Sequence, residues 1–321
     1  MNFGVIGTNF ISDWFVNACR SSHDINITSV YSRSLSTGQA FAEKHQILKV
    51  CTDYSVLLQD PDIDCVYIAS PNFLHCEQAV LAMEAKKHVL CEKPAATSVD
   101  EFLKMKQAAL KNQVVFLEAM RSVFDPAYQI VFNHLEKIGP IRRVRFDFCQ
   151  YSSRYDSFKN GTILNAFKPK LGNGAVMDIG VYCIHTMVHL FGKPDSIKSM
   201  STFLSNGAEG SGSILMGYPG MIGEIEYSKI SSSIHGSIIQ GEKATMCIDQ
   251  IAAPSLIEII YQNGEKEVIY RAESTENMKY EVEVFKTLVD KKVIVHDYYT
   301  SSYDTMQIID EVKKQNNITS S

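Results

Sequence analysis

Residues 88–97 read His-Val-Leu-Cys-Glu-Lys-Pro-Ala-Ala-Thr, an apolar run that ends abruptly in charge. Because proline has no N–H to give to a strand ladder, Pro94 predicts that the strand stops just before it. The carboxylate of Glu92 and the amine of Lys93 then follow the carboxyl end of the strand, where open α/β sheets bind their ligands. A surface turn with an ordinary ion pair has the same local pattern, so the neighbouring segments must decide between the two interpretations.

Strand-like and helix-like segments alternate on both sides of this stretch. Residues 25–31, 65–69 and 114–118 are short and mostly apolar, and the segments between them repeat apolar residues at helical spacing. This alternation is typical of βαβ units, in which each helix crosses between two parallel strands. We therefore predict a doubly wound parallel sheet in the first part of the chain.

The first strand-like run closes on a glycine turn. Residues 2–6 end at Gly7, and Thr8, Asn9, Phe10 and Ile11 lead into a helical pattern. Such a turn directs backbone N–H groups and the positive end of a helix dipole at a phosphate. In the G-x-G-x-x-G spacing the second and third positions hold Asn9 and Ser12, so this turn alone leaves nucleotide binding open.

The second strand ends in Ser32-Arg33-Ser34, where enzymes that use NAD usually carry an acidic residue for the adenosine ribose. A guanidinium pairs with the 2′-phosphate of NADP, whereas a carboxylate would repel it. These residues favour NADP as the cofactor, with NAD as the second choice. The alternative is that Arg33 stacks on the adenine or is simply solvated.

The pattern changes after residue 120. Residues 142–148 alternate between apolar and polar side chains, and short alternating segments recur between residues 196 and 271. They predict an antiparallel sheet, followed by two helices near 276–289 and 303–314. Parallel strands followed by antiparallel ones indicate two domains, which we place at residues 1–120 and 121–321.

A polar stripe interrupts an apolar segment in the second half. If a helix begins near Ala175, then Asp178, Tyr182, His185 and His189 share one face of it. The flanking Val, Met, Ile and Leu residues predict that this face is buried, and buried polar groups need partners. No glutamate follows the first histidine and no third ligand is evident, so we predict that there is no metal site.

The overall composition excludes several classes of protein. The 321 residues are 45% hydrophobic and 21% charged with a net charge of −5, which is typical of a globular protein and not of one that binds nucleic acid. The eight cysteines form no Cys-x-x-Cys pair, so reduced thiols are expected. We find no secretion signal and no apolar run of membrane-spanning length, and therefore predict a cytoplasmic protein without a membrane partner.

Four motifs together resemble the Gfo/Idh/MocA oxidoreductase family, whose members include glucose-fructose oxidoreductase, inositol dehydrogenase and dimeric dihydrodiol dehydrogenase. The motifs are Gly7-Thr8 after a strand, Ser32-Arg33, Ser70-Pro71-Asn72 with His75, and Glu92-Lys93-Pro94. The resemblance implies an N-terminal Rossmann domain and a C-terminal α+β domain with a large, mainly antiparallel open sheet. It also implies a cofactor site formed by Gly7, Thr8, Asn9, Phe10, Ile11, Ser32, Arg33, Ser70, Pro71, Asn72, His75, Glu92 and Lys93.

The resemblance further implies how the residues divide the chemistry. A cis peptide bond is expected between Lys93 and Pro94, with Glu92 near the nicotinamide ribose. In the family an Asp-x-x-x-Tyr or Asp-x-x-x-His pair lies opposite this lysine, and the chain has Asp178 and Tyr182. By this likeness Lys93 and Tyr182 transfer the proton and Asp178 orients the lysine. The tyrosine version resembles dihydrodiol dehydrogenases and glucose-fructose oxidoreductase more than inositol dehydrogenases.

The substrate is less well specified by the sequence. Residues implied to line its pocket are Arg154, Asn165, Phe167 and His185. One departure from the family pattern lies at the end of the first domain: where relatives tend to have tryptophan after Glu-Ala, this chain has Met120 and then Arg121. The substrates of those relatives therefore cannot be transferred to this chain directly.

The expected reaction is hydride transfer between NADP and a carbon that bears a hydroxyl, in a sugar, polyol or trans-diol, carried out by a homodimer or higher oligomer. Two alternatives belong to other classes. One is a non-catalytic NADP-binding regulator, and the other is a redox-neutral glycosidase that depends on nicotinamide. The presence of Lys93, Asp178 and Tyr182 favours the dehydrogenase, because a regulator needs no proton relay.

Overall fold

The computed structural model describes residues 1–22 and 24–318. The chain forms two units, one made of residues 1–120 and 278–300 and the other of residues 121–277 and 301 onward. The second predicted domain, 121–321, therefore differs from the structure in one segment, since residues 278–300 belong to the first unit. Residues 319–321 of that predicted domain lie outside the described residues.

Residues 1–120 alternate strands with helices, as the βαβ pattern predicts. The elements are β1 (Asn2–Ile6), α1 (Phe10–Cys19), β2 (Asn26–Tyr31), α2 (Leu35–His45), β3 (Lys49–Cys51), α3 (Tyr54–Gln59), β4 (Cys65–Ile68), a 3₁₀ turn (Asn72–Leu74), α4 (His75–Glu84), β5 (His88–Glu92), α5 (Val99–Asn112) and β6 (Phe116–Ala119). The strands run in the order β3-β2-β1-β4-β5-β6 and every pair is parallel, which is the doubly wound order of a dinucleotide-binding sheet.

The second unit is built on an eight-stranded sheet with helical segments before and within it. The elements are α6 (Arg121–Phe124), α7 (Pro126–His134), a 3₁₀ turn (Leu135–Ile138), β7 (Ile141–Cys149), α8 (Ser153–Lys159), 3₁₀ turns (Asn165–Phe167 and Pro169–Leu171), a π-helical turn (Val176–Gly180), α9 (Val181–Phe191), β8 (Ser196–Phe203), β9 (Glu209–Tyr218), β10 (Met221–Ser228), β11 (Ser237–Gly241), β12 (Ala244–Ile248), β13 (Leu256–Tyr261), β14 (Lys266–Arg271), α10 (Met278–Asp290) and α11 (Tyr298–Gln315). Of these, α10 belongs to the first unit, as does the start of α11.

The eight strands are ordered β14-β13-β12-β11-β7-β10-β9-β8 and are antiparallel except where β10 pairs with β7. The predicted α/β fold with a second, mainly antiparallel sheet is thus confirmed. One face of this sheet is fully buried, with Phe146, Ile225 and Ile259 at 0% exposure. The opposite face carries partly exposed side chains, which include Met200, Leu215 and Ile222. Alternation of side chains along each strand separates the two faces.

The segment 278–300 returns to the parallel sheet because it carries an apolar face of its own. Phe285 on α10 is fully buried, and its ring centroid lies 5.7 Å from that of Phe3 on β1. Further along, the Nε2 atom of His296 lies 3.0 Å from the carbonyl oxygen of Phe116 on β6, and the His296 ring stacks on Tyr299. Burial of this face is a tertiary interaction that the local sequence pattern does not specify.

Candidate active site

The glycine turn between β1 and α1 has a backbone that only glycine accommodates. Gly7 has a φ of +106°, and a Cβ atom placed there would lie 2.6 Å from the carbonyl oxygen of Ala69 at the end of β4. A side chain is thus excluded both by conformation and by space. The close approach of the two backbones keeps the turn at the carboxyl edge of the sheet, next to the N-terminus of α1.

Asn9 fixes the start of α1 in the same turn. Its Oδ1 atom accepts from the N–H groups of Ile11 and Ser12, and its Nδ2 atom donates to the carbonyl of Ala69 over 2.9 Å. The asparagine at the position of the second motif glycine therefore serves as the N-cap of the helix. Phe10 is exposed and packs edge-on against Trp14. A helix N-terminus held in this way suits a phosphate.

Ser32 and Arg33 follow β2, as the sequence predicts. The Oγ atom of Ser32 accepts from the N–H of Ser34, and Ser34 in turn caps α2. Arg33 is exposed and has no hydrogen-bond or ion-pair partner within residues 1–22 and 24–318. Its guanidinium is therefore available for an anionic group of a ligand. These residues fit the adenosine phosphate of a dinucleotide, and they offer no carboxylate for a 2′-hydroxyl.

The side chain of His75 lies between the loop after β4 and the loop after β5. The two ring nitrogens of His75 lie 2.8 Å from the carbonyl oxygen of Ser70 and 3.0 Å from that of Pro94. Burial lowers the pKa of His75, so the neutral ring has one N–H and donates to one carbonyl at a time. The Oγ atom of Ser70 donates to Gln78 over 2.6 Å. Pro71 directly precedes the 3₁₀ turn that contains Asn72.

The Glu92-Lys93-Pro94 motif lies at the end of β5, and its Lys93–Pro94 peptide bond is cis. This confirms the geometry that the family resemblance implied. Glu92 is buried, and its Oε1 atom accepts from the hydroxyl of Tyr67 over 2.6 Å. Burial and the charge of Glu92 raise the pKa of Tyr67 well above its usual value, so its hydroxyl stays a donor. The Glu118 carboxylate accepts from the N–H of Ala95 over 2.8 Å, which holds the far side of the loop.

Asp178 and Tyr182 do not lie on one continuous α-helix. Asp178 belongs to the π-helical turn Val176–Gly180, and Tyr182 lies in the first turn of α9. π-Helical turns are rare and are frequent at functional sites. The predicted buried stripe is confirmed at Tyr182 and His185, which are 6% and 2% exposed, and is wrong at His189, which is exposed.

Asp178 forms an ion pair with a residue that the sequence reasoning missed. The Nζ atom of Lys229 lies 2.7 Å from the Oδ2 atom of Asp178. A signal for it was present, because Lys229 continues the alternation of Ile225 and Tyr227, both buried on the core face. A lysine in register with buried residues needs an ionic or hydrogen-bonding partner. That Asp178 also orients Lys93 stays a prediction.

Arg121, where relatives tend to have tryptophan, lies beside Tyr182. Its guanidinium carbon is 5.6 Å from the centroid of the Tyr182 ring, within the range of a cation–π contact. The Nη1 atom of Arg121 donates to Asn277 over 2.6 Å, and Asn277 donates to Asp125 over 3.0 Å. The departure from the family pattern therefore brings a fixed positive charge to the face of the proposed catalytic tyrosine.

The residues expected to line a substrate pocket occupy different environments. Arg154 is exposed on α8, and the backbone carbonyl of Asn165 accepts from Asn173. Phe167 is 1% exposed and packs in a small apolar cluster, with the ammonium of Lys229 5.2 Å from its ring centroid. His185 is buried, and desolvation lowers its pKa to about 3, so it is neutral at pH 7. Their contacts with a substrate stay predictions.

Two kinds of feature are missing from the described part of the chain. Within residues 1–22 and 24–318, no three His, Cys, Asp or Glu side chains are grouped so that they could hold a metal ion. In the same residues no helix combines the length and the apolar composition required to cross a bilayer.

Comparison with protein-family models gives two consecutive matches. Residues 1–120 match the oxidoreductase family with an NAD-binding Rossmann fold, and residues 135–247 match the GFO/IDH/MocA C-terminal domain. The chain belongs to the GFO/IDH/MocA oxidoreductase family. The resemblance inferred from the motifs is thereby confirmed, and with it the expectation of a nicotinamide-dependent oxidoreductase.

Relatives within the family extend over the whole chain. The scyllo-inositol 2-dehydrogenase (NADP(+)) IolU of Bacillus subtilis is 44% identical over 317 residues, which cover 98% of this chain and 97% of the relative. The trans-1,2-dihydrobenzene-1,2-diol dehydrogenase of mouse is 28% identical, covering 83% of this chain and 79% of the relative. The chain is therefore similar both to an inositol dehydrogenase and to a dihydrodiol dehydrogenase, and the role of Tyr182 stays a prediction.

Two solved structures share the fold of this chain. The 3-ketoreductase KijD10 of Actinomadura kijaniata, solved with NADP and TDP-benzene, matches with a TM-score of 0.86 at 21% identity, covering 98% of each chain. Levoglucosan dehydrogenase, solved with NADH and levoglucosan, matches with a TM-score of 0.85 at 19% identity, covering 99% of this chain and 97% of the other. Identities this low support a shared fold and not a shared substrate.

Proposed function

We propose that this protein is an NADP-dependent dehydrogenase that interconverts a hydroxyl and a carbonyl on a polyol, sugar or trans-diol. The observation that carries the proposal is the 44% identity to a scyllo-inositol 2-dehydrogenase (NADP(+)), over nearly the full length of both chains. Among the candidate substrates, a cyclic polyol such as an inositol is therefore the first to test. Small changes in a pocket alter specificity, so the substrate class is proposed and not a single compound.

The preference for NADP is supported by the surroundings of Arg33. Its exposed guanidinium follows β2 together with Ser32, and no carboxylate accompanies them in Ser32-Arg33-Ser34. A planar, permanently charged donor group pairs with a phosphate through two parallel hydrogen bonds. The Gly7 turn and the N-terminus of α1 would hold the pyrophosphate, and Ser70, Pro71, Asn72 and Glu92 would adjoin the nicotinamide half.

Lys93, Tyr182 and Asp178 are the proposed catalytic residues. The nicotinamide, when bound, accepts or donates the hydride, which is a proton with two electrons. In the oxidising direction the substrate carbon loses that hydride while its hydroxyl oxygen loses a proton to the Tyr182–Lys93 pair. The ammonium of Lys93 stabilises negative charge on the oxygen, and in the reverse direction it polarises the carbonyl. Asp178 balances the charge of the lysine and fixes its position.

The direct experiment follows the near-ultraviolet absorbance of reduced nicotinamide. Purified protein is mixed with NADP⁺ or NAD⁺ and with inositols, aldoses, linear polyols and trans-diols in separate reactions. We expect the signal to grow with NADP⁺ and one substrate class. Tight NADP binding without any absorbance change would favour a non-catalytic regulator. Cleavage of a glycoside without net reduction would instead mark a redox-neutral glycosidase.

We further propose that the protein forms a homodimer or a higher oligomer through the partly exposed face of its second sheet. This face, which we call the open face, presents Met200, Leu215 and Ile222 at 78%, 52% and 53% exposure. Arg143 and Glu224 form an ion pair on the same face. A mixture of aliphatic and paired charged side chains suits a symmetric contact between two copies.

A cytoplasmic location is proposed as well. All eight cysteines are free thiols, and five of them are buried. Such thiols are typical of proteins that stay in a reducing compartment. Fractionation of the cells that produce the protein would test this proposal directly, and recovery of the protein from outside the cytoplasm would contradict it.

A further inference from the structure

Lys229 is a buried cation whose ammonium contacts the exposed carboxylate proposed for catalysis. Its side chain is 5% exposed, whereas that of Asp178 is 42% exposed. The ammonium therefore lies beneath the carboxylate, on the protein side, and the carboxylate faces outward. Besides the 2.7 Å contact with Asp178, the Nζ atom donates to the carbonyl of Ala166 over 3.3 Å and lies 5.2 Å from the Phe167 ring centroid.

The position of Lys229 is set by the sheet and not by a flexible loop. Lys229 follows the last residue of β10, and its backbone N–H donates to the carbonyl of Gly210 on β9 over 2.8 Å. The aliphatic stem is buried together with the core face of the sheet, so few rotamers remain open to it. Because a buried ammonium is costly without an anion, the arrangement favours one position of the Asp178 carboxylate.

A second buried side chain, the carboxyl group of Glu209, holds the backbone of the same segment from the neighbouring strand. The Oε2 atom of Glu209, next to Gly210, accepts from the N–H of Val176 over 2.8 Å, at the start of the π-helical turn. The other oxygen of Glu209 accepts from the hydroxyl of Tyr227, whose ring packs directly against Gly180 at the end of that turn. The turn that carries Asp178 is therefore held at both ends, while Lys229 holds its functional side chain.

We propose that Lys229 is a positioning residue for the reaction, acting through Asp178. It fixes the orientation of the carboxylate and places a positive charge beside it, without touching the substrate itself. The proposal rests on the role assigned to Asp178 in the proposed function. Since a misplacement of about 1 Å in a catalytic group can cost on the order of 100-fold in rate, the loss of Lys229 should reduce turnover clearly.

The test is a double-mutant cycle on Lys229→Met, Asp178→Asn and the double variant, assayed with NADP⁺ and scyllo-inositol or the best substrate of the panel. We expect Lys229→Met to lower kcat by about 10- to 100-fold with little change in KM, because a transition-state interaction is lost. In the Asp178→Asn background the same substitution should change kcat by less than about threefold, since its target is already absent. NADP binding, followed by fluorescence, should be unchanged throughout.

A matched control separates positioning from general stability. Lys313 is another buried lysine of the same unit, 7% exposed and 3.5 Å from Asp310. Lys313→Met removes a similar charge far along the chain and should leave kcat near that of the wild type. If Lys229→Met does not fold, as judged by near-ultraviolet circular dichroism, Lys229→Gln replaces it in the cycle and the same outcomes are expected.

The outcomes distinguish this inference from the function on which it rests. Equal losses from Lys229→Met in the wild-type and Asp178→Asn backgrounds would overturn the inference and leave the proposed function intact. So would a Lys229→Met variant with wild-type kcat beside an inactive Asp178→Asn variant. Full activity of Asp178→Asn would overturn the inference and the role of Asp178 while leaving the dehydrogenase activity intact, whereas no turnover by the wild type with any substrate would overturn the proposed function as well.

Discussion

The backbone around Lys93 is held by three buried side chains, which fix the position from which the lysine side chain extends. Glu92 binds Tyr67, His75 lies against the carbonyl of Pro94, and Glu118 accepts from the N–H of Ala95. Positions fixed in this way allow a proton donor or a charge to act in one geometry.

Replacing Lys93 by methionine keeps the aliphatic stem and removes the charge. We expect kcat to fall by about 10²- to 10⁴-fold, which is the usual contribution of general acid–base catalysis, while NADP binding is largely retained. Steady-state rates and fluorescence titration of NADP provide the two measurements. Lys104→Met on the exposed side of α5 is the control. Retention of wild-type turnover by Lys93→Met would remove this residue from the mechanism.

Arg33 tests the choice of cofactor at the residue scale. A guanidinium–phosphate hydrogen bond contributes about 1.5–3 kcal/mol, so Arg33→Ala should raise the KM for NADP⁺ by about 10- to 100-fold. The KM for NAD⁺, which lacks the 2′-phosphate, should change little. Parallel kinetics with the two cofactors measure this difference. Equal increases in the KM for NADP⁺ and for NAD⁺ would show that Arg33 does not bind the 2′-phosphate.

At the scale of elements, the β1–α1 turn depends on Gly7. Gly7→Ala introduces a Cβ atom 2.6 Å from the Ala69 carbonyl oxygen at a φ of +106°. We expect a lower Tm and at least about a tenfold loss of NADP affinity, because the turn must move away from β4. Gly264→Ala is the control, since Gly264 also has a positive φ of +86° but an added Cβ meets open space. That variant should lose a little stability and no NADP affinity.

Helix α9 makes stability depend on pH through His185. Burial lowers the pKa of this histidine to about 3, whereas the unfolded chain protonates it near its usual value of 6.5. The unfolded state therefore binds the extra proton below pH 6.5, and stability falls as pH decreases through that value. Above pH 6.5 the histidine is neutral in both states and adds no slope.

His185→Leu removes this proton uptake. Between pH 7 and pH 5 the wild type should lose about 2 kcal/mol more unfolding free energy than the variant, since each pH unit below 6.5 contributes about 1.4 kcal/mol. Urea titrations at several pH values measure the difference. His235→Gln, at an exposed position, should keep the pH dependence of the wild type. Parallel curves for the wild type and His185→Leu would contradict the prediction.

At the scale of the whole molecule, the proposed self-association through the open face can be tested by substitution. Leu215 lies on the open face, in register with Lys198 on β8 and Glu224 on β10. Leu215→Arg should weaken self-association by at least about tenfold, because a buried unpaired charge costs several kcal/mol. Sedimentation velocity over a concentration series measures it. Ile234→Arg, at a 95% exposed position, is the control. A wild type that is monomeric at every concentration would contradict the proposed oligomer.

The order of the local elements could be predicted because it depends on short-range periodicity. Apolar residues at spacings of two and of three to four identified most strands and helices of both sheets, and Pro94 correctly ended β5. The motif Glu92-Lys93-Pro94 and the turn at Gly7 were recognisable because each backbone conformation there admits few residue types. The sequence by itself therefore determined the fold class, the family and one half of the candidate site.

Only the tertiary structure decided the features that depend on distant parts of the chain. Residues 278–300 join the first unit, β10 pairs in parallel with β7, and Asp178 meets Lys229, fifty-one positions later. None of these follows from periodicity, because each is selected by the burial of apolar faces and by the need of buried charges for partners. Arg121 beside Tyr182 is a further case, since a contact between α6 and α9 depends on how their helices pack. The local sequence pattern determines the secondary structure of each segment, and the burial of apolar faces and charges determines which segments pack together.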